Sequence, residues 1–93
     1  LAPLEAAYAK LGALVARLRG RGHPVSRVDL GGGLGIPYDP RLPPPPSPAD
    51  YGAMVKRVTA AWPHSAGIRL MFEPGRLIAG NAGVLLARVV TVK

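Results

Sequence analysis

A chain of 93 residues with 48% hydrophobic content is sized for one small domain or a piece of a larger one, and it is too apolar to stay disordered. It has no cysteine, which excludes a disulfide framework and any thiolate metal site, and no apolar run nears the roughly 20 residues that cross a bilayer. The net charge of +7 invites a nucleic-acid reading, but the twelve Lys and Arg are scattered and no aromatic series accompanies them, so no nucleic-acid partner is expected. Without a basic n-region and apolar core at its start, the chain reads as soluble and cytoplasmic, with no membrane partner.

Leu4, Tyr8, Leu11, Val15 and Leu18 recur at three- and four-residue intervals, which predicts a helix over Leu4 to Arg19 with one buried face. Pro3 precedes it, Gly20 and Gly22 close it, and Arg17, Arg19 and Arg21 cluster where cations complement the helix dipole. Pro24 to Leu30 reads as a short strand running into GGGLGIPY, Gly31 to Tyr38, where four glycines stand within five residues. Tyr38 to Pro48 is proline-rich and, because proline fixes φ and donates no hydrogen bond, reads as a stiff surface excursion, partly polyproline II.

A second helix starts with Ser47 as N-cap, Pro48 at the first helical position and Asp50 three residues after the cap. Tyr51, Met54, Val55, Val58 and Trp62 mark its buried face, and Pro63 ends it. Ile68 to Phe72 is nearly continuous in apolar residues, as expected of a parallel strand covered on both faces, and it runs into EPGR, Glu73 to Arg76. Leu77 to Gly83 reads as a short helix or turn, and Val84 to Lys93, rich in β-branched residues, as extended chain. The order is that of an α/β protein.

Strand 24–30, helix 48–62 and strand 68–72 form one βαβ unit, so the two strands should run parallel with both glycine motifs just past their C-terminal ends. That is the face on which α/β sheets and barrels bind ligands. Successive N–H groups from Gly31 to Gly35 could form an anion nest, with those of Gly75 and Arg76 adding donors from the other side; a phosphate fits between them. The dinucleotide fingerprint fails, since Ile36 stands where the last glycine should be and Pro37 blocks a helix start. Glu73 beside an anion nest needs a cation to face, either a protonated ring nitrogen or an arginine such as Arg76. Asp29 reads as a strand-end carboxylate, and His23 and His64 lack partners at metal spacing.

VDLGGGLGIPY, then SPADYGAMV, then FEPGRLIAGNAGVLLARV, together closely resemble the pyridoxal-phosphate-dependent ornithine, arginine and diaminopimelate decarboxylases of alanine-racemase-like fold, over about Val28 to Lys93. GGG followed by EPGR is common to that family; the fuller GGGLGIPY and GRLIAGNAG favour the branch acting on diaminopimelate. The resemblance implies a (β/α)8 barrel, with 24–30 and 68–72 as its seventh and eighth strands. Residues 1–83 would be the C-terminal part of the barrel domain, and 84–93 would begin a β-domain. It implies pyridoxal 5'-phosphate as cofactor, its phosphate contacted by Gly33 with Gly32 beside it and by main-chain groups of Gly75 and Arg76, next to Pro74.

Glu73 matches the acid that pairs with the pyridine nitrogen, and the Arg76 side chain the one that holds a substrate carboxylate. The implied reaction is decarboxylation of meso-2,6-diaminopimelate to L-lysine and CO2 with the pyridine ring as electron sink. Ornithine or arginine decarboxylation, or a non-catalytic pyridoxal- or phosphate-binding module, are the alternatives. The family's Schiff-base lysine motif is not matched by Lys10, Lys56 or Lys93, so the chain is expected to be an inactive fragment of an enzyme that is commonly a homodimer.

Overall fold

A computed structural model describes all 93 residues, in the order α1 (Ala2–Gly20), β1 (Arg27–Asp29), α2 (Pro48–Ala60), β2 (Arg69–Met71) and α3 (Gly75–Ala79). Helix α1 begins with a proline in its first turn and has Glu5 near its N-terminus, with Arg17 and Arg19 in its last turn, so its charges oppose the dipole at both ends. It ends where Arg21 N–H turns back to the carbonyls of Arg17 and Leu18, and Gly22 takes φ +85°, a conformation that glycine adopts without steric cost. Tyr8 and Val15 are buried as the periodicity demands, flanked by the half-buried Leu4 and Leu11.

Gly12, four residues after Tyr8 and three before Val15, is also buried on that face. Its reason is Trp62: a Cβ at Gly12 would fall 2.5 Å from the indole Nε1. The helix is notched there so that the tryptophan can lie against it.

Helix α2 starts from a complete capping box. Ser47 Oγ accepts from the Asp50 N–H at 3.1 Å, and Asp50 Oδ2 accepts from the Ser47 N–H at 3.1 Å. Its inner face carries Met54, Val55 and Val58, with Trp62 just beyond, and Met54 is the most deeply buried side chain, at 1% exposure. These residues join Tyr8, Val15, Val28 and Leu30 in one core between the two helices and the sheet. Burial of such a core, at about 25 cal/mol per Å² of apolar surface, is what holds the unit together.

The two strands are parallel, with Arg27 opposite Arg69, Val28 opposite Leu70 and Asp29 opposite Met71. Thus β1, α2 and β2 form the expected βαβ unit. The strands are shorter than 24–30 and 68–72, and the expectation that β2 is covered on both faces is not met. Val28 and Leu70 face the helices, while Arg27, Asp29, Arg69 and Met71 are exposed on the opposite face, because no second layer lies over it.

Residues 84–93, which read from the sequence as extended chain, form no strand and no helix, and every one of them is exposed. A strand is completed only by hydrogen bonds to a neighbour, and residues 84–93 make none to either strand of the sheet. No helix is long and apolar enough to cross a membrane.

Candidate functional site

The two parallel strands deliver their C-terminal loops to the same place. Leu30 N–H donates to the Met71 carbonyl at 3.0 Å, and Glu73 N–H donates to the Gly31 carbonyl at 2.9 Å, so the ladder continues one step past each strand. Gly32 then packs directly on the Glu73 carbonyl, where a Cβ would overlap that oxygen. Glycine is required at this crossing because backbone meets backbone.

The glycine run has a built geometry. Asp29 Oδ1 accepts from the Gly31 N–H at 2.7 Å, a side-chain turn that fixes how the chain leaves β1. Gly31 and Gly33 take φ +67° and +96°, with open space where the Gly33 side chain would be. Beyond the loop, Leu34 and Ile36 are buried and anchor it, and the proline-rich excursion returns so that Pro45 lies over Gly35.

The main-chain donors divide into two groups. The N–H groups of Gly31 and Gly75 are engaged, to Asp29 and to the Glu73 carbonyl (2.8 Å) respectively. The latter bond closes a tight turn at Pro74, φ −78° and ψ 42°. Those of Gly32, Gly33, Leu34, Gly35 and Arg76 donate to nothing within the chain. Five unpaired amides on two touching loops form a surface suited to an anion with several oxygens.

Two charged side chains sit on the same edge without an opposite charge. The chain's ion pairs are Arg41–Asp39 and Arg57–Glu5, so Glu73 pairs with neither Arg76 nor any other arginine. The Arg76 guanidinium instead donates from Nη1 to the Tyr38 hydroxyl at 3.2 Å. Glu73 and Arg76 line none of the chain's concavities; they stand on an open rim. Behind the rim, the Tyr8 and Tyr51 hydroxyls share a hydrogen bond of 2.9 Å, and the Tyr51 ring meets Phe72 edge-on at 6.1 Å. Burial, and then the bond to Tyr51, pushes the Tyr8 hydroxyl's pKa well above its ordinary value, so it stays protonated.

Of the residues singled out from the sequence, Gly32, Gly33, Glu73, Pro74, Gly75 and Arg76 are brought together on this edge. His23 and His64 are not; His64, at φ +57°, gives its main-chain carbonyl to Arg19, and no cluster of His, Asp and Glu suits a metal. Sequence reasoning missed Asp29 and Tyr38 as members of the site. An Asp two residues before a glycine at a strand end was a signal for the first; nothing local pointed to the second.

This is an α/β unit whose parallel strands end in two touching glycine loops, with free amides and an unpaired carboxylate on one edge. Comparison with known proteins gives that edge a family. Residues 1–80 match the family described as pyridoxal-dependent decarboxylase, pyridoxal binding domain. The chain is 47% identical over its full length to diaminopimelate decarboxylase of Zymomonas mobilis, 43% to that of Pseudomonas aeruginosa and 42% to that of Vibrio cholerae. It spans 21% of the length of each of these relatives. No solved structure matches it. The chain belongs to the pyridoxal-dependent decarboxylases, and its residues 1–80 match their pyridoxal-binding domain.

Proposed function

We propose that this chain is the segment of a diaminopimelate decarboxylase that holds the phosphate and ring nitrogen of pyridoxal 5'-phosphate, in a protein that converts meso-2,6-diaminopimelate to L-lysine and CO2. The observation that carries the reading is the crossing of Gly32 on Glu73, which sets the unpaired amides of Gly32 to Gly35 and Arg76 beside an unpaired carboxylate. A phosphate joined to a protonated ring requires donors at one end and an acceptor at the other, and the residues present fit it.

When bound, the cofactor supplies an electron sink for the pair left on the substrate carbon as CO2 departs. The amides of Gly32, Gly33 and Arg76 hold the phosphate and so fix the ring's position. Glycine at position 33 leaves room for the phosphate to approach the main chain. Gly75 and Pro74 shape the turn that aims Glu73, whose carboxylate accepts from the ring N–H and keeps that proton in place. The Arg76 fork takes a substrate carboxylate, a pairing that a planar guanidinium makes with two parallel bonds.

The same reading assigns β1 and β2 to the seventh and eighth strands of a (β/α)8 barrel. The exposed face of Arg27, Asp29, Arg69 and Met71 then turns to the barrel interior, and residues 84–93 lead into a β-domain. The family match ends at residue 80, which accords with a division near residue 83. The complete protein is read as a cytoplasmic homodimer, and this segment alone as inactive.

The test is release of CO2 and formation of lysine from meso-diaminopimelate by the complete protein with added cofactor. Glu73→Gln should lower turnover on the order of a hundredfold while cofactor absorbance is retained. Undiminished turnover in that variant would remove Glu73 from the ring nitrogen.

A further inference from the structure

We infer that Tyr38 is a positioning residue: its hydroxyl holds the Arg76 guanidinium so that the Nε–Nη2 edge faces the carboxylate of an amino-acid substrate. The inference rests on the assignment of Arg76 to the substrate and adds the residue that orients it.

Arg76 is an exposed side chain on a five-residue helix, and α3 has no buried residue of its own. A free arginine loses considerable rotamer entropy when it is immobilised by a ligand, so a site that uses one gains by holding it beforehand. The strap that follows the glycine run provides the hold. Ile36 is buried and touches Gly80 so closely that a Cβ there would overlap its Cδ1, which locks the C-terminal end of α3 against the strap. Two residues further on, Tyr38 Oη accepts from Arg76 Nη1 at 3.2 Å. Helix and arginine are thus fixed from the same strap, one through its backbone end and the other through its side chain.

The geometry of the guanidinium makes this contact selective. It offers five N–H donors in a rigid plane, and Tyr38 occupies only Nη1. Nε and Nη2 have no partner in the chain, and no carboxylate neutralises the group. Their two N–H bonds are the parallel pair that matches a carboxylate. Tyr38 therefore selects which edge of the fork remains for a ligand. Tyr38 is 75% exposed, so removing the hydroxyl leaves the core untouched.

The experiment uses the complete decarboxylase with cofactor bound, comparing Tyr38→Phe, Arg76→Ala, Arg76→Lys and the Tyr38→Phe/Arg76→Lys pair. Loss of one hydrogen bond predicts that Tyr38→Phe raises KM for diaminopimelate by roughly three- to tenfold, with kcat within about twofold and cofactor absorbance unchanged. Arg76→Ala should raise KM further, and Tyr38→Phe should add almost nothing in the Arg76→Lys background, because the two side chains act as one unit. If Arg76→Ala raises KM and Tyr38→Phe does not, the positioning role is overturned while the substrate role of Arg76 stands. If neither changes KM, both fall. Loss of cofactor absorbance or of folding in Tyr38→Phe would show a merely structural residue and equally overturn the inference.

Discussion

The two ends of the βαβ unit are built differently. On the helix side, Tyr8, Val15, Met54, Val55, Val58 and Trp62 interlock with Val28 and Leu30, and removing any atom leaves a void. On the loop side, no residue from Met71 to Lys93 is buried, and the glycine loops are placed by backbone contacts, a few polar bonds and the buried Leu34 and Ile36. Stability and chemistry occupy different parts of one unit: the helix-covered face of the strands and the loops past their C-terminal ends. The packed end tolerates no change of volume, while the open end keeps free the amides, the carboxylate and the guanidinium that a ligand needs.

That division can be attacked from either side, most severely at its densest point. In the complete protein, Met54→Ala should lower unfolding free energy by about 2–5 kcal/mol, read by thermal or denaturant unfolding, because a fully buried side chain leaves a cavity. Gly12→Ala should follow at about 1–3 kcal/mol, since its new methyl collides with the buried indole of Trp62. Gly32→Ala should do the reverse of both. By displacing Glu73 it should weaken cofactor binding by about tenfold or more, or ~1.4 kcal/mol, with little change in melting temperature. A large loss of melting temperature in Gly32→Ala would show that the loop end is part of the core after all.

Ser47→Ala, which removes the N-cap acceptor, should cost about 1 kcal/mol of stability without altering cofactor affinity. The smallest expected effect is a pH dependence. The Ser47 hydroxyl, and then its N–H, hold the Asp50 carboxyl below the ordinary carboxylate range. A carboxyl whose pKa is lowered on folding stabilises the native state fully above its unfolded value, about 3.9, and loses that contribution as pH falls through the folded value. The stability gap between the parent protein and Asp50→Ala should therefore be constant near neutrality and shrink below about pH 3.9. A gap that persists at lower pH would mean that the carboxylate charge is not what caps α2.

Much of the packed end was legible because its signals are local. The capping box at Ser47 and Asp50 and the apolar spacing of Tyr51 to Trp62 each lie within one or two helical turns. The same spacing rule passed over Gly12, which stands in register with Tyr8 and Val15 but carries no apolar side chain to mark a notch for a residue fifty positions away. At the open end, EPGR and the glycine run stood out as motifs, and the βαβ order implied that they meet. Which amides remain free was not legible: Gly31 and Gly75 look like their neighbours in sequence, yet their N–H groups are used by Asp29 and by the Glu73 carbonyl.

By itself the sequence determined the elements, their order, the parallel pairing and the family, because helix periodicity, caps, strand composition and motif spacing are all carried by short-range pattern. Only the tertiary structure decided that Gly32 lies on Glu73, that Gly12 receives Trp62 and that Tyr38 holds Arg76. It also decided that residues 84–93, β-branched as they are, form no strand here. These outcomes depend on where two distant segments meet, and strand hydrogen bonds and side-chain contacts exist only once the partner is in place.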